Sequence, residues 1–372
     1  VAAVALAADT VLLRFSELLD SAGAVAATYL VTPGVDVLSV RVDADPASEL
    51  LLITSTLEAG VAYVVRADGP RDCNGNPVGT ANEVPLLLPE PAGPDDLLLN
   101  EVLFNPPPGA ADFVELVNVS AKFLDLRGWQ LADGRDDTLA AAAAITDRAR
   151  VLPPGAYLVV TTDAAALLSN YPRTVMENVE EVGQLPPFPN DAGAVVLLNP
   201  AGEATQRFDY DEDFHFALLD DDDGVSLERI RFDGPVNDPG NWQSAAQNVG
   251  WATPGYRNSQ AEEGGGGSAE VRVVPEVITP DQDGDRDFTT LFYRFDRGGY
   301  VANVTLYDAR GRTVRHLARN DLLGLEGSYK WDGLADDGRR VRVGAYLLHL
   351  EVFGLGGEVR TYRKRVVVGA RW

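Results

Sequence analysis

The chain has 372 residues, 45% hydrophobic and 23% charged, a globular composition too long for one ordinary core. Its 56 acidic and 31 basic residues give a net charge of −25, which disfavours nucleic acid and anionic lipid as partners and favours cations. No apolar run is long enough for a membrane-spanning segment, the single Cys73 excludes an intramolecular disulfide framework, and His215, His316 and His349 lack the spacing of a zinc hydrolase.

Short apolar runs alternate with clusters drawn from 36 Gly and 23 Pro plus Asn and Asp, the pattern of antiparallel sheets closed into sandwiches. The fold class expected is therefore all-β: three Ig-like antiparallel β-sandwich domains in tandem. The first domain, 1–86, has strands at Val11–Phe15, Val35–Val42, Glu49–Ile53 and Ala62–Arg66, a helical piece at Ser16–Leu19, and a tight polar turn at Arg71–Pro77. Its Phe15–Asp20 string and the Asp72–Asn76 turn resemble the bacterial Ig-like domain first described in S-layer proteins. That resemblance implies a spacer or interaction module.

A Pro-rich joint at 87–96 leads to a larger domain, 97–258. Leu97–Pro106, Asp112–Ser120, Leu124–Asp133, Leu152–Val160, Asn190–Glu203, Gly224–Ile230, Asn241–Trp242 and Thr253–Asn258 follow one another in order. Together these strings resemble the lamin-tail domain, an Ig-like sandwich. Trp129 and Trp242 are large enough to anchor its core. Leu131, Tyr157, Val159, Val195 and Leu197 fit the inward row of half-buried strands. Ala164–Ser169 is expected to be a short helix, and Leu139–Ala144 a helical turn or a loop. Glu101, Glu115 and Glu228 belong to the lamin-tail pattern and are expected to fix loops by accepting backbone hydrogen bonds.

The string 259–270 reads as a Gly-rich linker. Beyond it the charge reverses: residues 269–372 hold 15 acids and 17 basic residues. Strands are expected at Asn303–Tyr307 and Thr361–Val368, and Tyr346, Leu348, Leu350 and Val352 form an apolar row. The WDG, DDG and GAY strings within 329–352 resemble both the Ig-like fold of flagellar hook-capping proteins and the gliding-motility-associated C-terminal domain of Bacteroidota cargo. The second resemblance implies that 271–372 is a sorting domain for type IX secretion. Its partner would be the secretion or outer-membrane attachment machinery.

Asp281, Asp283, Asp285 and Asp287 alternate around Gly284. Four carboxylates this close repel unless a cation sits among them, and hard oxygen ligands in a Gly-turned loop suit Ca²⁺; the alternative is an acidic turn capped by its own amides. Asp220–Asp223 is a denser run, read first as a solvated loop, then as a second cation site and last as a catalytic carboxylate pair. Nothing marks a carboxylate pair or a His-based dyad for catalysis, so no enzyme is expected. The function expected is a non-catalytic extracellular or cell-surface structural and interaction protein, with other surface proteins or glycans as further partners. The rivals are the C-terminal accessory region of a larger secreted enzyme of nuclease or phosphatase type, and a subunit of an extracellular filament or surface layer.

Overall fold

A computed structural model describes residues 2–42, 47–77, 79, 82–134, 141–148, 150–217, 219, 221–262 and 269–370. The fold is mostly β, built of antiparallel sheets packed as sandwiches, and it divides into two compact units.

The first unit comprises residues 1–97, 118–129 and 144–156. A four-stranded sheet runs Ala2–Ala7, Thr10–Leu19, Ala47–Thr54, Val37–Arg41 in spatial order, and a three-stranded sheet runs Thr28–Thr32, Tyr63–Asp68, Glu83–Leu86. Tyr63, Val65 and Ala67 are buried while Val64 and Arg66 are exposed, the period of two that gives a strand one apolar face. These residues join Val11, Leu13, Leu50 and Leu52 in one core. The helical piece expected at Ser16–Leu19 is instead the end of a ten-residue strand. Leu19 pairs with Ala47 beyond a register shift, so this stretch stays in the sheet. The helix begins after it, at Ser21–Ala26, where the Asp20 side chain accepts the Gly23 amide at 3.2 Å as N-cap. The polar turn forms as expected: Asp72 Oδ1 accepts the amides of Asn74 and Asn76 at 2.9 and 2.8 Å. Gly75 takes φ +85° there, which a side chain would oppose.

The second unit comprises 98–117, 130–143 and 157–372. A six-stranded sheet is ordered Val179–Glu181, Tyr157–Thr161, Phe113–Asn118, Leu97–Leu103, Leu227–Arg229, Trp242–Ser244. A four-stranded sheet is ordered Ala141–Ala144, Gln130–Asp133, Ala192–Leu198, Ala204–Asp211. Ala141–Ala144 is thus a strand where a helical turn or loop was expected, and residues 139–140 lie outside the described residues. The expected helix is present at Ala164–Asn170, capped by Asp163.

Leu131, Val159, Val195 and Leu197 are buried as expected and Tyr157 is only half-buried, while the neighbours Ala132, Leu158, Val160, Val196 and Leu198 are buried as well. The alternation fails because both faces are covered. All seven residues of Leu97–Leu103 are buried, and one cluster packs Leu103, Phe113 and Val159 against Leu167 and Tyr171 of the helical segment and against Ala252. Trp242 stacks on Phe208 with centroids 3.8 Å apart, so it anchors the core as its size suggested.

The same unit contains a further sandwich. Its three-stranded sheet is Glu270–Val274, Thr289–Arg294, Glu326–Trp331, and its five-stranded sheet is ordered Val277–Ile278, Val359–Val368, Gly344–Gly354, Tyr300–Asp308, Thr313–Leu323. Tyr346, Leu348, Leu350 and Val352 form the expected buried row, and Trp331 meets Tyr346 edge-on at 5.3 Å. Of the string read as a linker, 263–268 lies outside the described residues. Gln260, at its start, is buried and donates from Nε2 to Ser244 O at 3.1 Å and to Leu323 O at 3.2 Å. Ser259 O accepts the Leu325 amide at 2.8 Å. Nearby, Phe216, Val301 and Leu322 bury one another with Leu219 and Trp251 alongside.

Candidate functional site

The largest concentration of perturbed chemistry is a trio of glutamates on three adjacent strands. Glu101, Glu115 and Glu228 lie on Leu97–Leu103, Phe113–Asn118 and Leu227–Arg229, and each is fully buried. Glu101 stands directly opposite Glu228 in the ladder. Like charges in such a cross-strand pair repel, and removal from water penalises the ionised form further. Burial first, and then the neighbouring Glu228 charge, push Glu101 up to about 8. Burial likewise raises Glu115 well above the usual range, and raises Glu228.

What tolerates three carboxyls here is the segment 253–260, whose donors converge on them. Glu101 Oε1 accepts the Ser226 hydroxyl and the Thr253 amide, the latter at 2.8 Å. Glu115 accepts the Gly255 amide on one oxygen and Asn100 Nδ2 on the other. Glu228 Oε2 accepts the Ser259 hydroxyl at 2.8 Å and the Gln260 amide at 2.9 Å. Thr253 Oγ1 sits between the paired acids, 2.7 Å from Glu228 Oε1 and 3.2 Å from Glu101 Oε2. It has one proton to give. Given to the nearer Glu228, it leaves a lone pair for a proton held on Glu101, the carboxyl whose raised pKa keeps it neutral. Asn258 completes the lock by donating to Asn100 O at 3.0 Å and Arg229 O at 2.9 Å. The expectation that these glutamates fix loops through backbone hydrogen bonds is therefore met at Thr253, Gly255 and Gln260. The bridging role of the Thr253 hydroxyl had no signal in the sequence.

Perturbed carboxyls often mark active sites, but a reacting group must be reachable, and these three have no accessible surface. They act as acceptors that hold a loop against a sheet.

The acidic turn is different in kind. Asp281, Asp283 and Asp287 bring one carboxylate oxygen each within 4.8 Å of one another, close enough for a shared metal ion; Asp285 is not among them. The turn also caps itself. Asp287 accepts the amides of Gln282 at 2.6 Å and Gly284 at 2.8 Å, and Asp283 accepts the amide of Asp285 at 2.8 Å. Gln282 and Arg286 take φ +69° and +53°, held there by this web and by the Thr279 amide on Arg286 O.

Asp221, Asp222 and Asp223 form a second such group; Asp220 lies outside the described residues. Asn105 Nδ2 donates to Asp223 Oδ1 at 2.9 Å, which ties this loop to the end of a core strand. His215 is buried near it, its Nδ1 3.0 Å from Ser244 Oγ, and burial pushes its pKa down to about 4. His316 pairs with Asp336 at 2.8 Å on the surface, and His349 lies half-buried on a strand. His215, the histidine that meets a serine hydroxyl, does so in the buried interior.

Among solved structures, a dimeric latent PorU from Porphyromonas gingivalis aligns at 12% identity over 99% of this chain and 32% of its own, with a TM-score of 0.22. The N-terminal part of the bacterial S-layer protein SbsC aligns at 18% identity over 44% of this chain and 40% of its own, with a TM-score of 0.23. CopC from Methylosinus trichosporium aligns at 15% identity over 28% of this chain and 97% of its own, with a TM-score of 0.20. The chain thus spans well under half the length of the PorU and SbsC structures, and these scores place it in none of the three families. No curated relative matches it. A family model does match: residues 90–212 fit the lamin tail domain, a span that contains Glu101 and Glu115 and stops short of Glu228 and the 253–260 segment. The chain contains a lamin tail domain.

Proposed function

We propose that the chain is a non-catalytic structural and interaction protein of the bacterial cell surface or extracellular space, of the Bacteroidota type. In this reading residues 271–372 are the address for export through type IX secretion-like machinery. One observation supports the non-catalytic part: the cluster of three glutamates whose carboxyls burial raises is sealed from solvent and bonded to the donors of 253–260. The export part rests on the motif resemblance of 271–372 and on its charge, which is opposite to that of the rest of the chain. Ca²⁺ is the ion this reading assigns to the Asp281–Asp283–Asp287 turn, as a structural ion, because hard oxygen donors on a tight turn suit it.

The test uses the full chain, given a periplasmic leader in a type IX-competent host and in the same host lacking the export channel. Protease shaving of whole cells should remove the protein from the first strain and spare it in the second. Equal protection in the two strains would show that the address reading is wrong.

A further inference from the structure

The five-stranded sheet ends in a strand whose outer edge is hydrogen-bonded over only its last residues. Val359–Val368 pairs with Gly344–Gly354 along its whole length, in unbroken register from Val359↔Phe353 to Val368↔Gly344. On the other side only Val367 and Val368 have a partner, the two-residue strand Val277–Ile278. The chain before that short strand belongs to the other sheet, as Glu270–Val274 paired with Thr289–Arg294.

Parity identifies the free groups. In a regular strand, successive residues aim their N–H and C=O to opposite sides. The Val367 amide reaches outward to Glu276 O and the Gly369 amide to Ile278 O, both at 2.8 Å. Thr361, Arg363 and Arg365 share that parity, so their amides and carbonyls face outward, and none has a hydrogen-bond partner among the described residues. Such a row is a template for an added strand.

The side chains give the partner's chemistry. Thr361, Arg363 and Arg365 are exposed, and the cross-strand neighbours of the two arginines are His349 and Leu347, neither of them acidic. Arg360 is already paired with Asp296 at 2.7 Å, and Arg365 lies 4.0 Å from Glu276. Arg363 and Lys364 have no ion pair among the described residues. Like-charged neighbours on an added strand would repel and carboxylates would attract.

We propose that the open edge of Val359–Arg365 takes an extended acidic segment of a partner protein as an added strand, with alternate carboxylates of that segment facing Arg363 and Arg365. The inference stands independently of the export reading.

The probe is a labelled eight-residue peptide alternating Thr and Glu, compared with its Thr–Lys counterpart, titrated into the full chain at low salt and followed by anisotropy. The acidic peptide should bind, the basic one should not, and binding should slow hydrogen exchange at the Thr361, Arg363 and Arg365 amides. Arg363→Pro removes one outward N–H and no ladder bond, so it should leave the fold intact and weaken binding about tenfold or more. Should that variant unfold, the double charge reversal Arg363→Glu with Arg365→Glu, which touches no backbone group, should abolish binding instead. Equal binding of both peptides, protection at other amides, or full binding by a folded Arg363→Pro would overturn the proposal. So would a dimer of the free chain that Arg363→Pro dissolves, since the occupant would then be a second copy.

Discussion

The glutamate trio and the Asp281–Asp287 turn are both clusters of carboxyls in one unit, and they meet their mutual repulsion in opposite ways. The glutamates are withdrawn from water, so repulsion and desolvation add and raise all three carboxyls, and the fold answers with donors from one converging segment. The aspartates stay exposed or half-exposed, where solvent screens them, and they turn their oxygens onto the amides of their own turn. The buried set ties strands to a segment far along the chain, as Glu101 shows by accepting the amide of Thr253, 152 residues away. The exposed set organises only its own neighbours. Acid count is therefore no guide to role here; what matters is whether the donors are local or distant.

The comparison breaks most forcefully at Glu228. Glu228→Ala would leave the Ser259 hydroxyl, the Gln260 amide and the Thr253 hydroxyl without their acceptor and open a void. Orphaned buried donors cost about 1–3 kcal/mol each and cavities add to that, so the loss should reach about 3–5 kcal/mol. Urea unfolding measures it. A loss under about 1 kcal/mol would mean the segment 253–260 is held elsewhere. Glu101→Gln is the control. A carboxyl that is neutral at pH 7 is well copied by an amide, which accepts from the Thr253 N–H and donates to its hydroxyl, so this variant should stay within about 1 kcal/mol of the parent.

Proton linkage sharpens the same contrast. Glu101 sits at about 8 in the fold against the ordinary 4.5 of a glutamate in water. The folded state therefore holds the extra proton between those values, and the stability that it contributes is full below about 4.5 and lost as pH rises through about 8. His215 works the other way. Its value of about 4 against 6.5 means that its contribution is full above 6.5 and lost as pH falls through about 4. Melting temperature against pH should thus show an alkaline limb that Glu101→Gln makes shallower, the raised Glu115 and Glu228 supplying the rest, and an acid limb that it leaves in place. An unchanged alkaline limb in that variant would remove Glu101 as one of its sources.

How much of this the sequence showed depends on whether the pattern is local. Tyr346–Val352 and Tyr63–Ala67 alternate, and each forms the strand that its alternation demands. The Asp72 turn and the helix after Asp163 depend on neighbours within a few residues and were legible too. Ser16–Leu19 misled because its short apolar–polar mix fits one helical turn, while the pairing of Leu19 with Ala47 lies far along the chain. Alternation also failed as a guide to burial for Val195–Leu198, since it says nothing of what covers the second face. At the glutamates, the lamin-tail pattern marked the acceptors, but no spacing rule marks Thr253 or Gln260 as their donors. Gln260 in particular stands in polar company that reads as linker, yet it is buried and bonded to Leu323 O.

That bond extends the comparison outward from Glu228. The Gln260 amide is held by Glu228 while its side chain holds Leu323 O, so one residue joins the acid cluster to the end of the strand Thr313–Leu323. Gln260→Ala removes two side-chain donations and keeps the amide. It should cost about 1–2 kcal/mol, because Ser244 O and Leu323 O each lose a donor. Calorimetry should then show the transition broadening or splitting, as a joint that is loosened without damage to either core lets the two sandwiches of this unit melt apart. A sharp single transition shifted bodily downward would assign the coupling to the Phe216–Val301–Leu322 contact instead.

The smallest effects belong to the exposed turn, and here the presence of an ion decides the size. Without one, each aspartate supports only amides that water can also satisfy, so Asp283→Asn should change stability by no more than about 0.5 kcal/mol. With Ca²⁺ bound to the native state alone, a hundredfold excess over Kd stabilises by about 2.7 kcal/mol. Chelation should then lower the melting temperature, and the pair Asp283→Asn with Asp287→Asn should abolish that response. The two substitutions are separable: Asp287 accepts two amides of the turn, whereas Asp283 accepts one, so Asp287→Asn should also loosen the turn in the absence of any ion. A chelator-insensitive melt that nonetheless drops with Asp287→Asn and not with Asp283→Asn would identify the turn as self-capped. The aspartates would then be a local version of what the glutamates do across the sheet, acceptors that fix a backbone path, at the smaller scale that solvent allows.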